Sequence, residues 1–143
     1  MEKKIIKKAI SAPAFLNEPI EYNKSFSRGI KIALGDVTLL EISGTASVNE
    51  KGVTHAPGDF AAQVKRTFDN ITALLKSENA SWYDVVRTRC YIKDIKQHYG
   101  EFNTYRNKFY KELNLGPFPA SIAIQAHLCR PELLVEIEAT AIL

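Results

Sequence analysis

The chain is 143 residues long, 45% hydrophobic and 24% charged, with a formal net charge of +3. That length is expected to give one domain over residues 1–143 with a continuous core and no need of disulfide staples. The apolar runs fall short of the roughly 18 residues a membrane span needs, and the lysines at Lys3, Lys4, Lys7 and Lys8 precede no long apolar stretch, so no membrane and no secretory signal are expected and the location is read as cytoplasmic.

Apolar runs or alternation predict strands over Lys4–Ile10, Gly29–Leu34 and Val37–Ser43, the last two joined by Gly35-Asp36, a two-residue hairpin signal. A helix is expected from Asp59, its N-cap, with Phe60, Val64, Phe68, Ile71 and Leu75 on one face. A strand over Val86–Lys93 follows, then a second helix over about 97–113. Its stripe of Tyr99, Phe102, Tyr105, Phe109 and Leu113 has the spacing of a core face rather than of a cofactor box. Gly116-Pro117 and Pro119 stop that helix before strands over Ser121–His127 and Leu133–Leu143.

Helices lying between strands, each with a single apolar face, predict an α/β (α+β) domain: a mixed six-stranded sheet with two helices on one face. Several strands, such as Leu39-Leu40-Glu41-Ile42 and Ile122-Ala123-Ile124, are apolar on both faces. A sheet with an apolar open face packs against copies of itself, so an oligomer is expected. Cys90, Cys129 and three scattered histidines lack ligand spacing. No metal and no cofactor are expected, and both thiols are read as buried. No basic patch interleaved with aromatics marks nucleic acid as a partner.

Five motifs in order carry a resemblance. They are Ser43-Gly44-Thr45, Ala62-Gln63 with Asn70-Ile71, Tyr91-Ile92-Lys93-Asp94, Phe118-Pro119-Ala120 and Glu136-Ile137-Glu138-Ala139. Over about residues 20–143 the chain resembles the reactive intermediate deaminase family (Rid, or YjgF-type, L-PSP-like). The resemblance implies a chorismate-mutase-like homotrimer with ligand clefts between subunits, and hydrolysis of 2-imino or 2-enamino acids to 2-keto acids and ammonia. It implies that Glu136 positions the attacking water or moves a proton, and that the Gly44 N–H meets the substrate carboxylate.

The chain departs from that pattern at the anchor. Where the family has Arg directly after Phe-Pro-Ala, here stands Ser121, which lacks the charge and fork geometry of guanidinium. Ala123 stands for the family's Cys and Phe26 for its Tyr. The run from Gln125 to Glu138, with Cys129, is similar instead to the closing segment of the chorismatases. The expected substrate-binding residues are therefore Gly44, Ser121, Phe26, Arg89 and Cys129, with Arg89, Arg28 and Arg130 as alternative carboxylate anchors. The expected ligand is a small carboxylate-bearing enamine, imine or enol ether. A catalyst and a non-catalytic metabolite binder both remain open, and ribonuclease chemistry has no His pair or basic groove behind it.

Overall fold

The computed structural model describes residues 5–143. Strands β1 (Ile6–Ile10), β2 (Gly29–Leu34) and β3 (Val37–Ala46) lead into helix α1 (Phe60–Ser77), and β4 (Val85–Ile92) leads into α2 (Ile95–Glu112). Strands β5 (Ala120–Gln125) and β6 (Val135–Ile142) close the chain. The part of the expected first strand at Lys4 lies outside the described residues.

Local signals account for the boundaries. Gly35 turns the β2–β3 hairpin with φ +64°, a left-handed conformation that costs glycine nothing. Asp59 caps α1 by accepting a hydrogen bond from the Ala62 N–H at 3.0 Å. Helix α2 starts two residues before the expected Gln97, because Asp94 accepts from the Gln97 N–H at 3.1 Å and is itself the cap.

The six strands are ordered β1-β2-β3-β6-β4-β5. Only β4 and β5 are parallel; every other neighbouring pair is antiparallel. Because β6 lies antiparallel to both β3 and β4, those two strands run in one direction. Helix α1 therefore crosses over from β3 to β4, and α2 from β4 to β5, each returning across the same face. This is the mixed α+β sheet that the pattern of elements predicts.

Strand alternation then divides the side chains between two faces. Leu40, Ile42, Cys90, Ile92, Val135, Ile137, Ala139 and Ala141 are buried beneath the helices with Phe68, Leu74, Trp82 and Phe102. Burying each large side chain of this set stabilises the fold by roughly 1.5–3 kcal/mol. The aromatic stripe of α2 does pack into this core, joined by the buried Tyr110, although Tyr99 at its start stays exposed. The opposite face presents Glu136 and Glu138 of β6 in register with Tyr91 and Arg89 of β4. Beside them Ile122 and Ile124 remain 51% and 43% exposed. No helix of the described residues is long and apolar enough to cross a membrane.

Candidate functional site

Where β3 passes β6 the ladder shifts register between Ile42 and Thr45, so Ser43 and Gly44 together face Glu138. This is the geometry of a β-bulge, which bends the strand and opens its surface. The Ser43 hydroxyl donates to the Ser27 carbonyl at 2.6 Å and pins the bulge. Glu136 folds its carboxylate across the space that a side chain at position 44 would fill.

The bulge floors an open groove of about 720 Å³ lined by Tyr22, Phe26, Arg28, Gly44, Cys129, Arg130, Glu136 and Glu138, among others. Of the residues singled out from sequence it gathers Gly44, Phe26, Cys129 and Glu136, with Arg28 and Arg130 at its wall. The two acids of β6 differ in their surroundings. Glu138 is tied by Arg89, whose Nη1 lies 3.5 Å from Oε2, and by the Tyr91 hydroxyl, which donates to Oε1 at 3.1 Å. Glu136 has no side-chain hydrogen bond or ion pair among the described residues. Burial, and then the charge of Glu138, raise its carboxyl pKa above the ordinary 4.5.

Two expected site residues stand elsewhere within the chain. Ser121 pairs in register with Thr88, and Arg89 with Ile122, so alternation turns Ser121 toward the helices while Glu136 points the other way. Ser121 lines a second groove, of about 560 Å³, with Arg106, Tyr110, Lys111 and Phe118. Its hydroxyl accepts from Arg106 Nη1 at 3.1 Å and from the Thr88 hydroxyl at 3.1 Å. Arg89 does not line the Glu136 groove and is engaged by Glu138, which argues against it as the anchor. Cys129 is exposed, not buried; the loop after β5 has no strand alternation to turn it inward. Cys90 is buried as expected, and burial pushes its thiol pKa up against the hydrogen bond from Thr88 and the charge of Arg106.

Arg106 is the residue that strand-by-strand reading overlooks. It follows Phe102 by four positions, on the apolar side of α2 beside Tyr105 and Phe109. Its guanidinium lies 5.2 Å from the Phe102 ring centroid and donates to Asn103 Oδ1 at 2.6 Å. An arginine on the core-facing stripe of a helix was the available signal.

No group of three or more metal-binding side chains occurs among the described residues. The chemistry on offer in the larger groove is that of one half-buried, unpaired carboxylate, a tight backbone bulge and a nearby guanidinium.

Sheet order and the two crossovers over one face define a class of α+β proteins with a mixed six-stranded sheet and two helices. The family model described as Endoribonuclease L-PSP matches residues 17–143, and the chain belongs to that family, the Rid/YjgF family whose motifs it carries. It is 30% identical over 100 residues to the 2-iminobutanoate/2-iminopropanoate deaminase of Escherichia coli strain K12, covering 70% of this chain and 76% of that protein. It is 28% identical over 111 residues to RutC family protein PM1466 of Pasteurella multocida, covering 78% and 83%. The crystal structure of the YjgF gene product from E. coli superposes with a TM-score of 0.77 at 26% identity, covering 94% of this chain and 97% of that one.

Proposed function

We propose that this protein hydrolyses a small 2-imino or 2-enamino acid to the 2-oxo acid and ammonia. The observation that carries the reading is Glu136: an unpaired carboxylate of raised pKa, held over Gly44 at the floor of a groove. In the reaction, water adds to the C2 carbon of the C=N bond as Glu136 takes a proton from it. The carbinolamine so formed from the protonated imine then receives that proton on nitrogen. The C–N bond breaks as its hydroxyl gives its own proton to Glu136 and the 2-oxo group forms, and ammonia leaves, taking the proton from Glu136 as ammonium. A base whose pKa is raised above the ordinary carboxylate value is suited to such proton transfers, which typically contribute about 10²–10⁴-fold in rate. The name of the similar E. coli deaminase supports the same reaction class.

The cleft is read as finished by a neighbouring copy of the chain in a homotrimer. Exposed Ile122 and Ile124 on the face the helices leave open supply an apolar surface for that contact. Assembly would also offer a way for the Ser121 groove of one copy to approach the Glu136 groove of the next, which alternation keeps apart within one chain.

The test is ammonia release from freshly generated 2-iminopropanoate, compared for the native protein and Glu136→Gln, with the subunit number measured by light scattering. Native activity at the level of spontaneous hydrolysis, with the ligand still bound, would leave the groove as a binding site only. A monomer in solution would remove the intersubunit cleft.

A further inference from the structure

Arg28 is the only charged residue among the buried polar ones described, at 5% exposed. Burying a guanidinium without a counter-charge is costly, and folded chains normally pair it. No carboxylate lies within ion-pair distance of Arg28 among the described residues. Its surroundings fix it without neutralising it. Nε donates to the Asn17 carbonyl at 2.8 Å and Nη2 to Asn17 Oδ1 at 3.0 Å. The Tyr22 and Phe26 ring centroids lie 5.8 and 5.7 Å from its central carbon, close enough for cation–π attraction.

Asn17 is itself held in place. Gly52 has φ +75°, and a Cβ there would stand 2.5 Å from Asn17 Nδ2, so the backbone closes directly against the amide. A guanidinium offers five donors in a planar fork, and Asn17 takes two of them. Arg28 is among the residues that line the groove containing Gly44 and Glu136.

Three other arginines, all near one of the two grooves, are differently engaged. Arg89 faces Glu138. Arg130 Nη1 donates to the Gly52 carbonyl at 2.9 Å and to the Thr54 hydroxyl at 3.3 Å. Arg106 is shared between Asn103 and Ser121 in the second groove.

We propose that Arg28 is the carboxylate anchor of the Glu136 groove, supplying from the start of β2 the fork that Ser121 cannot provide. The inference rests on the hydrolytic reading of this groove and deepens it. The ligand class is a small acid whose carboxylate is gripped by Arg28 while the adjacent C2 carbon faces the Glu136 side. Because the fork is immobilised before any ligand arrives, little side-chain freedom is lost on binding.

The probe is 2-oxobutanoate, the product form of such a substrate, titrated calorimetrically beside its neutral isostere 2-oxobutanamide. The native protein should bind the acid about tenfold or more tightly than the amide, the discrimination a charge-assisted bidentate pair confers. Arg28→Met should lose that preference and weaken acid binding by about tenfold or more. Arg28→Lys, which keeps charge without the fork, should fall between. Failure of the native protein to bind the acid, equal affinity for acid and amide, or unchanged acid binding by Arg28→Met would each overturn the proposal. If Arg28→Met does not fold, as a melting curve would reveal, the native acid-to-amide ratio and Arg28→Lys decide the matter. The two readings fail separately. Acid binding through Arg28 without ammonia release sinks the hydrolase and leaves the anchor, whereas ammonia release with an unchanged KM in Arg28→Met sinks the anchor alone.

Discussion

The carboxylate of Glu136 occupies the place where Gly44 lacks a side chain: a Cβ built on Gly44 would overlap Glu136 Oε1 and stand 3.1 Å from its Cδ. Gly44 has no positive φ of its own, so glycine is required there for close approach rather than for backbone freedom. The bulge between Ile42 and Thr45 brings the two together by letting two residues of β3 face one of β6.

Gly44→Ala should therefore act through Glu136. The added methyl forces the carboxylate aside or pushes the strands apart, and overpacking of this kind costs about 1–3 kcal/mol. Ammonia release should fall much further than stability does, because the displaced group is the proposed base. A urea titration beside turnover separates the effects. Full activity in Gly44→Ala would show that the carboxylate works from another position.

The raised pKa of Glu136 sets a pH dependence of definite sign. A general base works ionised, so if Glu136 is the base as proposed, turnover should rise with pH through a midpoint above the ordinary carboxylate value of 4.5. Glu138 adds to the shift, after burial, by like-charge repulsion. Glu138→Gln should consequently move the midpoint down. Stability runs the opposite way: the folded state holds this proton more tightly than the unfolded chain, so Glu136's contribution falls as pH rises from 4.5 through the raised value. Glu136→Gln should flatten that part of the stability profile, which denaturant melts at several pH values would show.

Much of this was legible in the sequence, for reasons that were local. Gly35-Asp36 declared its hairpin, Asp59 its helix, and the spacing of Glu136 and Glu138 their shared face, because caps, turns and alternation act over a few residues. What sequence did not order was the meeting of distant elements. Ser121 and Glu136 fall on opposite faces because the β4–β5 and β4–β6 registers are fixed by packing, not by either strand alone. Arg28 is buried by Asn17, which lies in an irregular segment where no period reports orientation. Arg106 was readable in principle, since its place on the α2 stripe is a matter of counting.

Arg106 also governs what would happen if arginine were restored at position 121. Ser121 Oγ lies 3.1 Å from Arg106 Nη1, so a second guanidinium there would meet a like charge. Ser121→Arg alone should destabilise the protein by about 1–3 kcal/mol, less at high salt. Pairing it with Arg106→Ser should recover much of the loss, with a coupling free energy of roughly 0.5–3 kcal/mol in a double-mutant cycle. Strict additivity would mean that the two side chains do not compete for one site.

Gln63 links the first helix to the wall of the Glu136 groove. It is fully buried; its Nε2 donates to the Ala56 and Glu132 carbonyls at 3.2 and 2.9 Å, and its Oε1 accepts from the Leu134 N–H at 2.9 Å. These bonds hold the chain that runs from Cys129 and Arg130 into β6. Gln63→Leu keeps much of the volume but leaves three backbone groups without that partner, at about 1–3 kcal/mol for each one that water cannot reach. The urea midpoint should fall with little change in slope, and the Leu134 amide should exchange its hydrogen faster. Gln63→Glu is the sharper variant, since it retains the acceptor for Leu134 and loses both donations when ionised. Its deficit should be larger above the pKa of the new carboxyl than below it, where a protonated oxygen can donate once. A pH-independent deficit would mean that the donations from Gln63 contribute little to holding this wall.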